Sequence, residues 1–321
     1  MTKVQRIEHL DLDLLESGKV YRFWLELTED TLGNDLSIPV IVAKGASPGP
    51  VLGLTAAVHG NEVNGIPVIQ RIFKEIDPVY LKGTIVGIPV VNIPALNEKV
   101  REFNDGKDLN HIFPGKESGN ESQVYAHRFF SRAVVNFDYL IDLHTASFGR
   151  INSYYIRADL RDPVTAELAR LQNAQIVVHN PPSDGTLRGA ASEVNIPAVT
   201  LEVGNPNTFQ RGIIRESFTG IFNAMYYLKM LDGSIEDDIE GPVHCKSSYW
   251  IYTDTGGFLR VLPDLATIVE EGELIAVQTN VFGDVVREYH APERGIIIGK
   301  SVHPVNQSGG RILHLGIIGE V

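Results

Sequence analysis

The chain has 321 residues, of which 43% are hydrophobic and 21% charged, and 28 basic against 40 acidic side chains give a net charge of −12. That length accommodates a large core and two domains, while the acidic balance argues against a nucleic-acid or anionic-membrane binder, which needs a basic surface. The single cysteine, Cys245, excludes an intramolecular disulfide, and the lack of any apolar run near the roughly 20 residues of a bilayer span, or of a signal-peptide core, gives the expectation of a cytoplasmic protein.

The opening runs "KVYRFWLEL" and "SIPVIVAKG" read as strands joined by a polar turn around Gly33, Asn34 and Asp35. "VLGLTAAV" follows as a short buried strand. Residues 63–76 carry helical periodicity through Ile66, Ile69, Ile72, Phe73 and Ile76, and "GTIVGIPVVN" is a second buried strand. Residues 51–92 therefore read as strand, helix, strand: one crossover unit of a mostly parallel sheet.

The pattern repeats further on. "SQVYAHRFFSRAVVN" is helical and "FDYLIDLHTAS" is a strand entering a loop. "DPVTAELARLQNA" is helical, "QIVVHN" and "IPAVTLEVG" are strands, and "IIRESFTGIFNAMYYLKML" is a long amphipathic helix. "SDGTLRGAASEVN" reads as a Gly-containing loop. The acidic, turn-rich stretch 232–242 marks a boundary, and short strands separated by Gly, Pro and Asp follow it. The expected organisation is an α/β domain over 1–235, with a mostly parallel mixed sheet flanked by helices, and a small all-β domain over 240–321.

Three strands of the α/β part end in ionisable residues: the first in His59 and Glu62, the second in His144, the third in Glu202. In open α/β sheets ligands bind beyond the carboxyl ends of the strands, so these residues are expected to converge. Two imidazoles and a carboxylate form a common catalytic zinc set that keeps one position for water. A further carboxylate must then take the proton of that water, and Glu202 is the free candidate. Asp142 lies two residues before His144, on the same side of an extended strand, where it can orient the imidazole. His127, His179, His244, His290, His303 and His314 show no metal spacing, and Cys245 lacks a partner motif.

"HGNE", "DLNHIFPG", "IDLHTAS" and "TLEVG", in this order and spacing, resemble the succinylglutamate desuccinylase and aspartoacylase family of zinc carboxypeptidase-like hydrolases. "ASPGPVLGLTAAVHGNEVNGI", "GTIVGIPVVNIPA" and the β-rich tail also look like it. The resemblance implies the zinc carboxypeptidase-like fold and one zinc per chain on His59, Glu62 and His144. It implies Glu202 as general base and acid, and Arg101, shortly before the "DLN" motif, as the group facing the developing oxyanion. The implied reaction is hydrolysis of an amide linking an acyl group to an amino acid or amine. The partner is then a small molecule, with no nucleic acid and no membrane, and a homo-oligomer is compatible with the chain. Gly60 is expected to let the turn after His59 close tightly.

One motif departs from the family. Members usually read "DLNR", with Asn and Arg gripping a substrate carboxylate, whereas this chain reads Asp108, Leu109, Asn110, His111. Arginine offers a permanently charged two-pronged fork, and histidine does not. Asn110 and His111 remain candidates for substrate binding, and Arg188 is the best-placed arginine to compensate. An acylated amine lacking that carboxylate is the other explanation. Two further functions compete: a metallocarboxypeptidase acting on a peptide end, which the β tail disfavours, and a degenerate binding protein, which the intact His59, Glu62, His144 and Glu202 disfavour. The tail also resembles biotinyl and lipoyl carrier domains, but no lysine stands near Val281 to Val285.

Overall fold

Runs rich in β-branched and aromatic residues favour strands, and in the computed structural model, which describes residues 4–183, 185–236 and 241–321, they open the chain as three adjacent strands. Strand β1 (Gln5–Ile7) pairs in parallel with β2 (Lys19–Glu29), and β2 pairs antiparallel with β3 (Asp35–Lys44). The crossover unit follows as β4 (Ser47–Ala56), α1 (Gly65–Glu75) and β5 (Lys82–Ile88), with β4 and β5 parallel neighbours. Next come α2 (Ile93–Glu98), α3 (Glu121–Arg132), β6 (Tyr139–His144), β7 (Arg150–Asn152), β8 (Tyr154–Ala158), α4 (Pro163–Arg170), β9 (Ile176–His179), α5 (Leu187–Glu193), β10 (Ala198–Val203) and α6 (Arg211–Tyr227).

The remaining elements are all strands: β11 (Val243–Tyr252), β12 (Gly257–Val261), β13 (Ile268–Val269), β14 (Leu274–Thr279), β15 (Val285–His290), β16 (Gly295–Ser301), β17 (Val305–Asn306) and β18 (Arg311–Ile318). The large sheet runs β1-β2-β3-β5-β4-β6-β10-β8-β9-β11-β18-β16-β13, with β7 on β16, and a second sheet runs β15-β14-β12-β17. β11 pairs in parallel with β9, so the large sheet continues into the C-terminal strands. The expected boundary between 235 and 240 falls in part on 237–240, outside the described residues.

The central strands β4, β6 and β10 are parallel neighbours buried on both faces, which explains their near-continuous apolar sequence. One core joins Phe23, Leu25 and Val40 to Tyr125, Phe129 and Leu187, the residues of α3 and α5. The other joins Leu52, Leu54 and Ile141 to Val68, Ile72, Leu168 and Ile221 of α1, α4 and α6. Helix α3 begins with the reciprocal Asn120–Gln123 capping box, which satisfies two backbone donors of its first turn.

Two helices escape the apolar pattern. In α2 the helix is started by Asn92, whose Oδ1 accepts from Ala95 N at 3.1 Å, and by Pro94 in the first turn. In α5 Thr186 Oγ1 accepts from Gly189 N at 2.9 Å. Its "LRGAASE" sequence is too rich in small residues to show an amphipathic stripe, so the expected loop at Arg188 is a helix instead.

Candidate active site

The sheet register brings the strand ends together. Glu202 stands opposite His144 across β10 and β6, and Thr200 stands opposite Asp142. On the other side of β6, Thr55 of β4 is opposite Asp142. The chain leaves β4 through Ala57, in the left-handed region at φ 51, and turns at His59, where the Glu62 N–H bonds back to His59 O at 3.1 Å. Gly60 is needed for close approach: a Cβ there would lie 2.0 Å from the Ala95 carbonyl carbon of α2. Its role is to let a helix backbone touch the turn, not to supply a positive φ.

One ligand atom from each of His59, Glu62 and His144 lies within 4.8 Å of the other two, and all three side chains are buried. The two Nδ1 atoms approach to 3.3 Å, and His144 Nδ1 lies 3.0 Å from Glu62 Oε2. The far nitrogens are held by acids: His59 Nε2 by Asp108 at 2.9 Å and His144 Nε2 by Asp142 at 2.6 Å. Each carboxylate fixes the tautomer with the proton on Nε2, so both Nδ1 lone pairs point to one place. Thr55 Oγ1 donates to Asp142 at 2.6 Å, and Thr145 N donates to Glu62 Oε2 at 3.0 Å.

Burial works to lower both imidazole pKa values, but the neighbouring carboxylates outweigh it. His59 is raised by Glu62 and Asp108, and His144 is raised further by Asp142 and Glu62. Burial works to raise Glu62, yet the two imidazoles hold it well below the usual carboxylate range. A point that attracts protons this strongly also favours a divalent cation in their place. The donor set and its outer carboxylates therefore fit the expected metal.

Arg101 closes one side of this cluster. Its Nη1 donates to Glu62 Oε1 at 2.9 Å and to Ser147 Oγ, and its Nε donates to Asp108 Oδ2 at 2.9 Å. Glu202 closes the other side, with Asn152 Nδ2 donating to Oε2 at 3.2 Å and Arg157 Nε 3.4 Å from Oε1.

All eight expected site residues line one pocket of about 290 Å³, together with Arg150, Asn152, Tyr155, Arg157, Asn180 and Trp250. Asn110 Oδ1 accepts from Leu187 N at 2.8 Å, which leaves its NH₂ group to offer a ligand. Gly185, at φ +82, brings its chain against the His111 carbonyl, where a Cβ would lie 2.4 Å from the oxygen. Its own carbonyl accepts from Phe113 N at 2.9 Å, and these contacts join the Asn110 loop to α5. Arg188 is buried on α5 and bonds to Asn180 O and Oδ1. Burial and Arg157 lower its pKa to about 10. His111 sits at the rim, its side chain 74% exposed and 4.0 Å from Asp108.

Asp108, Asn152 and Arg157 were not singled out by the sequence reading. Asp108 stood in the "DLNH" motif, where only Asn110 and His111 were read as functional. The other two lie in "RINSYYIRA", where β7 and β8 are too short for alternation to mark them as strands. Cys245 is buried, and burial pushes its thiol up to about 12, so it carries no nucleophile. Among the described residues no helix is long and apolar enough to cross a membrane.

A model of the succinylglutamate desuccinylase/aspartoacylase catalytic domain matches residues 48–228, more than half of the chain. The chain belongs to the succinylglutamate desuccinylase/aspartoacylase family. N-alpha-acetyl-L-2,4-diaminobutyric acid deacetylase of Halomonas elongata is 23% identical over 276 residues, covering 82% of this chain and 80% of that protein. Succinylglutamate desuccinylase of Pseudomonas paraeruginosa is 32% identical over 177 residues, so the match spans about half of each, 50% of this chain and 52% of that enzyme. Among solved structures, a succinylglutamate desuccinylase from a Silicibacter species shares the fold with a TM-score of 0.84 at 23% identity over 97% of both chains. The product-bound Ectoine utilization protein EutE from Ruegeria pomeroyi does so with a TM-score of 0.86 at 21% identity, covering 95% of this chain and 97% of that one. The succinylglutamate desuccinylase/aspartoacylase family is one of deacylases, enzymes acting on N-acyl amino acid amides.

Proposed function

We propose that the chain is a zinc-dependent amidohydrolase that removes the acyl group from an N-acyl amino acid or a related small acylated amine. The observation that carries this reading is the pair of imidazoles that turn Nδ1 to a common point beside Glu62 while Asp108 and Asp142 hold their far nitrogens. His59, Glu62 and His144 would hold one zinc per chain, which supplies Lewis acidity to the acyl carbonyl and acidifies water.

Glu202 takes a proton from water as its oxygen attacks the acyl carbon. It then passes that proton to the amide nitrogen as the C–N bond breaks, leaving a carboxylic acid and a free amine. Asn152 and Arg157 keep its carboxylate in place. Arg101, held by Glu62 and Asp108, faces the charge that develops on the carbonyl oxygen. Arg188 and the Asn110 NH₂ group receive the substrate carboxylate, with Arg188 in place of the arginine replaced by His111, and His111 contacts substrate from the rim.

The test is the metal content of purified protein, followed by a hydrolysis screen of N-acetyl, N-formyl and N-succinyl amino acids and of acyl-amines. About one zinc per chain with turnover of carboxylate-bearing substrates is the expected result. Turnover of acyl-amines alone would remove the Arg188 assignment. A chain that takes up no metal and hydrolyses none of these would overturn the reading and favour a binding protein.

A further inference from the structure

The antiparallel pairing of β8 with β10 sets Tyr155 opposite Glu202 and Arg157 opposite Thr200. Directly opposed residues project from the same face of a sheet, with Cβ atoms about 5 Å apart. The parallel pairing of β10 with β6 extends both rows. One row therefore reads His144, Glu202, Tyr155, and the next reads Asp142, Thr200, Arg157.

The two residues of β8 meet at the Tyr155 hydroxyl. Arg157 Nε donates to Tyr155 Oη at 3.1 Å, and Nη2 donates to it at 2.7 Å. Two donors fill the acceptor capacity of that oxygen and leave it one proton of its own to give. Tyr155 lines the pocket yet is only 1% exposed, and a buried donor without an acceptor is costly. The acceptor is the carboxylate of Glu202, to which the hydroxyl is hydrogen-bonded. Burial, and then the Glu202 charge, push the phenol above its ordinary range although Arg157 works against them, so the proton stays on Oη. Glu202 is thus held by three groups: Asn152 on Oε2, Arg157 beside Oε1, and the Tyr155 hydroxyl.

The ring of Tyr155 is fixed by other contacts. It packs with Ile176, Val178, Cys245, Ile296 and Ile298, and it meets His314 edge-on at 6.1 Å between centroids. Packing of this kind asks for a ring and makes no use of an oxygen. The hydroxyl is matched instead to the two charged residues beside it, Arg157 and Glu202.

We propose that Tyr155 is a positioning residue for the general base: its hydroxyl, fixed by Arg157, donates to Glu202 and holds that carboxylate in the orientation from which it takes up and returns a proton. Tyr155 acts through Glu202 and not on the substrate. This rests on the hydrolase reading of the pocket, but the contact with Glu202 can be read without turnover.

Tyr155→Phe removes the oxygen and keeps the ring. In the metal-loaded enzyme it is expected to lower kcat about tenfold, the weight of one hydrogen bond to a charged group. KM should change by less than about twofold and metal content not at all, because neither substrate nor metal loses a contact. Added to Glu202→Gln, the same change should lower kcat no further, since the base it positions is already gone. A merely structural role would instead lower kcat by the same factor in both backgrounds. The reading without turnover is a cycle of Tm values for the full-length parent, Tyr155→Phe, Glu202→Ala and the double variant. The double variant is expected to be more stable than the two single changes add up to, because each single variant leaves the other group without its partner. Additive Tm changes, or a Tyr155→Phe enzyme with parental kcat, would overturn the proposal. Coupled Tm values in a chain that hydrolyses no acyl compound would sustain the contact and remove the hydrolase reading.

Discussion

Asp142 Oδ2 lies 2.6 Å from Nε2 of His144, two residues along the same strand and on the same side of it. Thr55 Oγ1 steadies the other oxygen of that carboxylate from the neighbouring strand. Asp142 thus sets which imidazole nitrogen is free. Asp142→Asn keeps the shape but removes the charge, and is expected to weaken metal affinity about 10–100-fold. Competition with a chelator measures this, and unchanged affinity would separate Asp142 from the metal.

Glu202 and His144 are register partners with different assigned roles. Glu202→Gln should retain the metal and lose about 10²–10⁴-fold in kcat, the usual contribution of a positioned acid–base group. His144→Ala should lose the metal itself. Metal analysis beside kinetics separates the two outcomes, and loss of metal in Glu202→Gln would reverse the assignment.

Gly60→Ala tests the contact between the turn after His59 and α2. A Cβ there meets the backbone of Ala95, which cannot rotate away. The expected cost is about 1–3 kcal/mol, as for other overpacked sites, with a lower Tm and weaker metal binding, because the turn carries both His59 and Glu62. A variant of parental Tm and metal affinity would show that α2 yields at no cost.

His314 provides a pH dependence away from the His59–Glu62–His144 cluster. It is buried beside Trp250, and burial, with Arg157, Arg150 and Arg311, lowers its pKa to about 3. In the unfolded chain the value is about 6.5. Above that pH neither state takes the proton, and the stabilisation is fully present. As the pH falls from 6.5 towards 3, the unfolded state binds a proton that the folded state refuses, and stability is lost at up to about 1.4 kcal/mol per pH unit. His314→Phe keeps a ring against Trp250 and should flatten the decline of Tm between pH 7 and 4. Parallel Tm profiles for the two proteins would rule out His314 as the source.

Most of the His59–Glu62–His144 cluster could be read from the sequence because it follows a rule of strand ends. Buried apolar runs mark β4, β6 and β10, and ionisable residues at their carboxyl ends must meet once the strands are parallel neighbours. The pocket wall was harder to read. β7 is three residues long and β8 five, too short for alternation to separate them from a loop, so Arg150, Asn152 and Arg157 went unnoticed. Helix α5 was hidden by its small residues, because helix packing against β10 and β6 through Ala190 and Ala191 needs no apolar stripe. Asp108 was visible but silent: an acid next to a turn is common, and only the fold shows that it faces His59.

The parallel pairing of Val243, His244 and Cys245 with Ile176, Val177 and Val178 makes the last eighty or so residues hard to remove. Cutting the chain before β11 would strip β9 of one neighbour and leave its unpaired N–H and C=O groups as an open edge, the template on which sheets aggregate. The same cut would take Trp250 from the pocket. One strand therefore both covers a sheet edge and supplies part of the pocket wall, and a shortened chain would be expected to lose the two together.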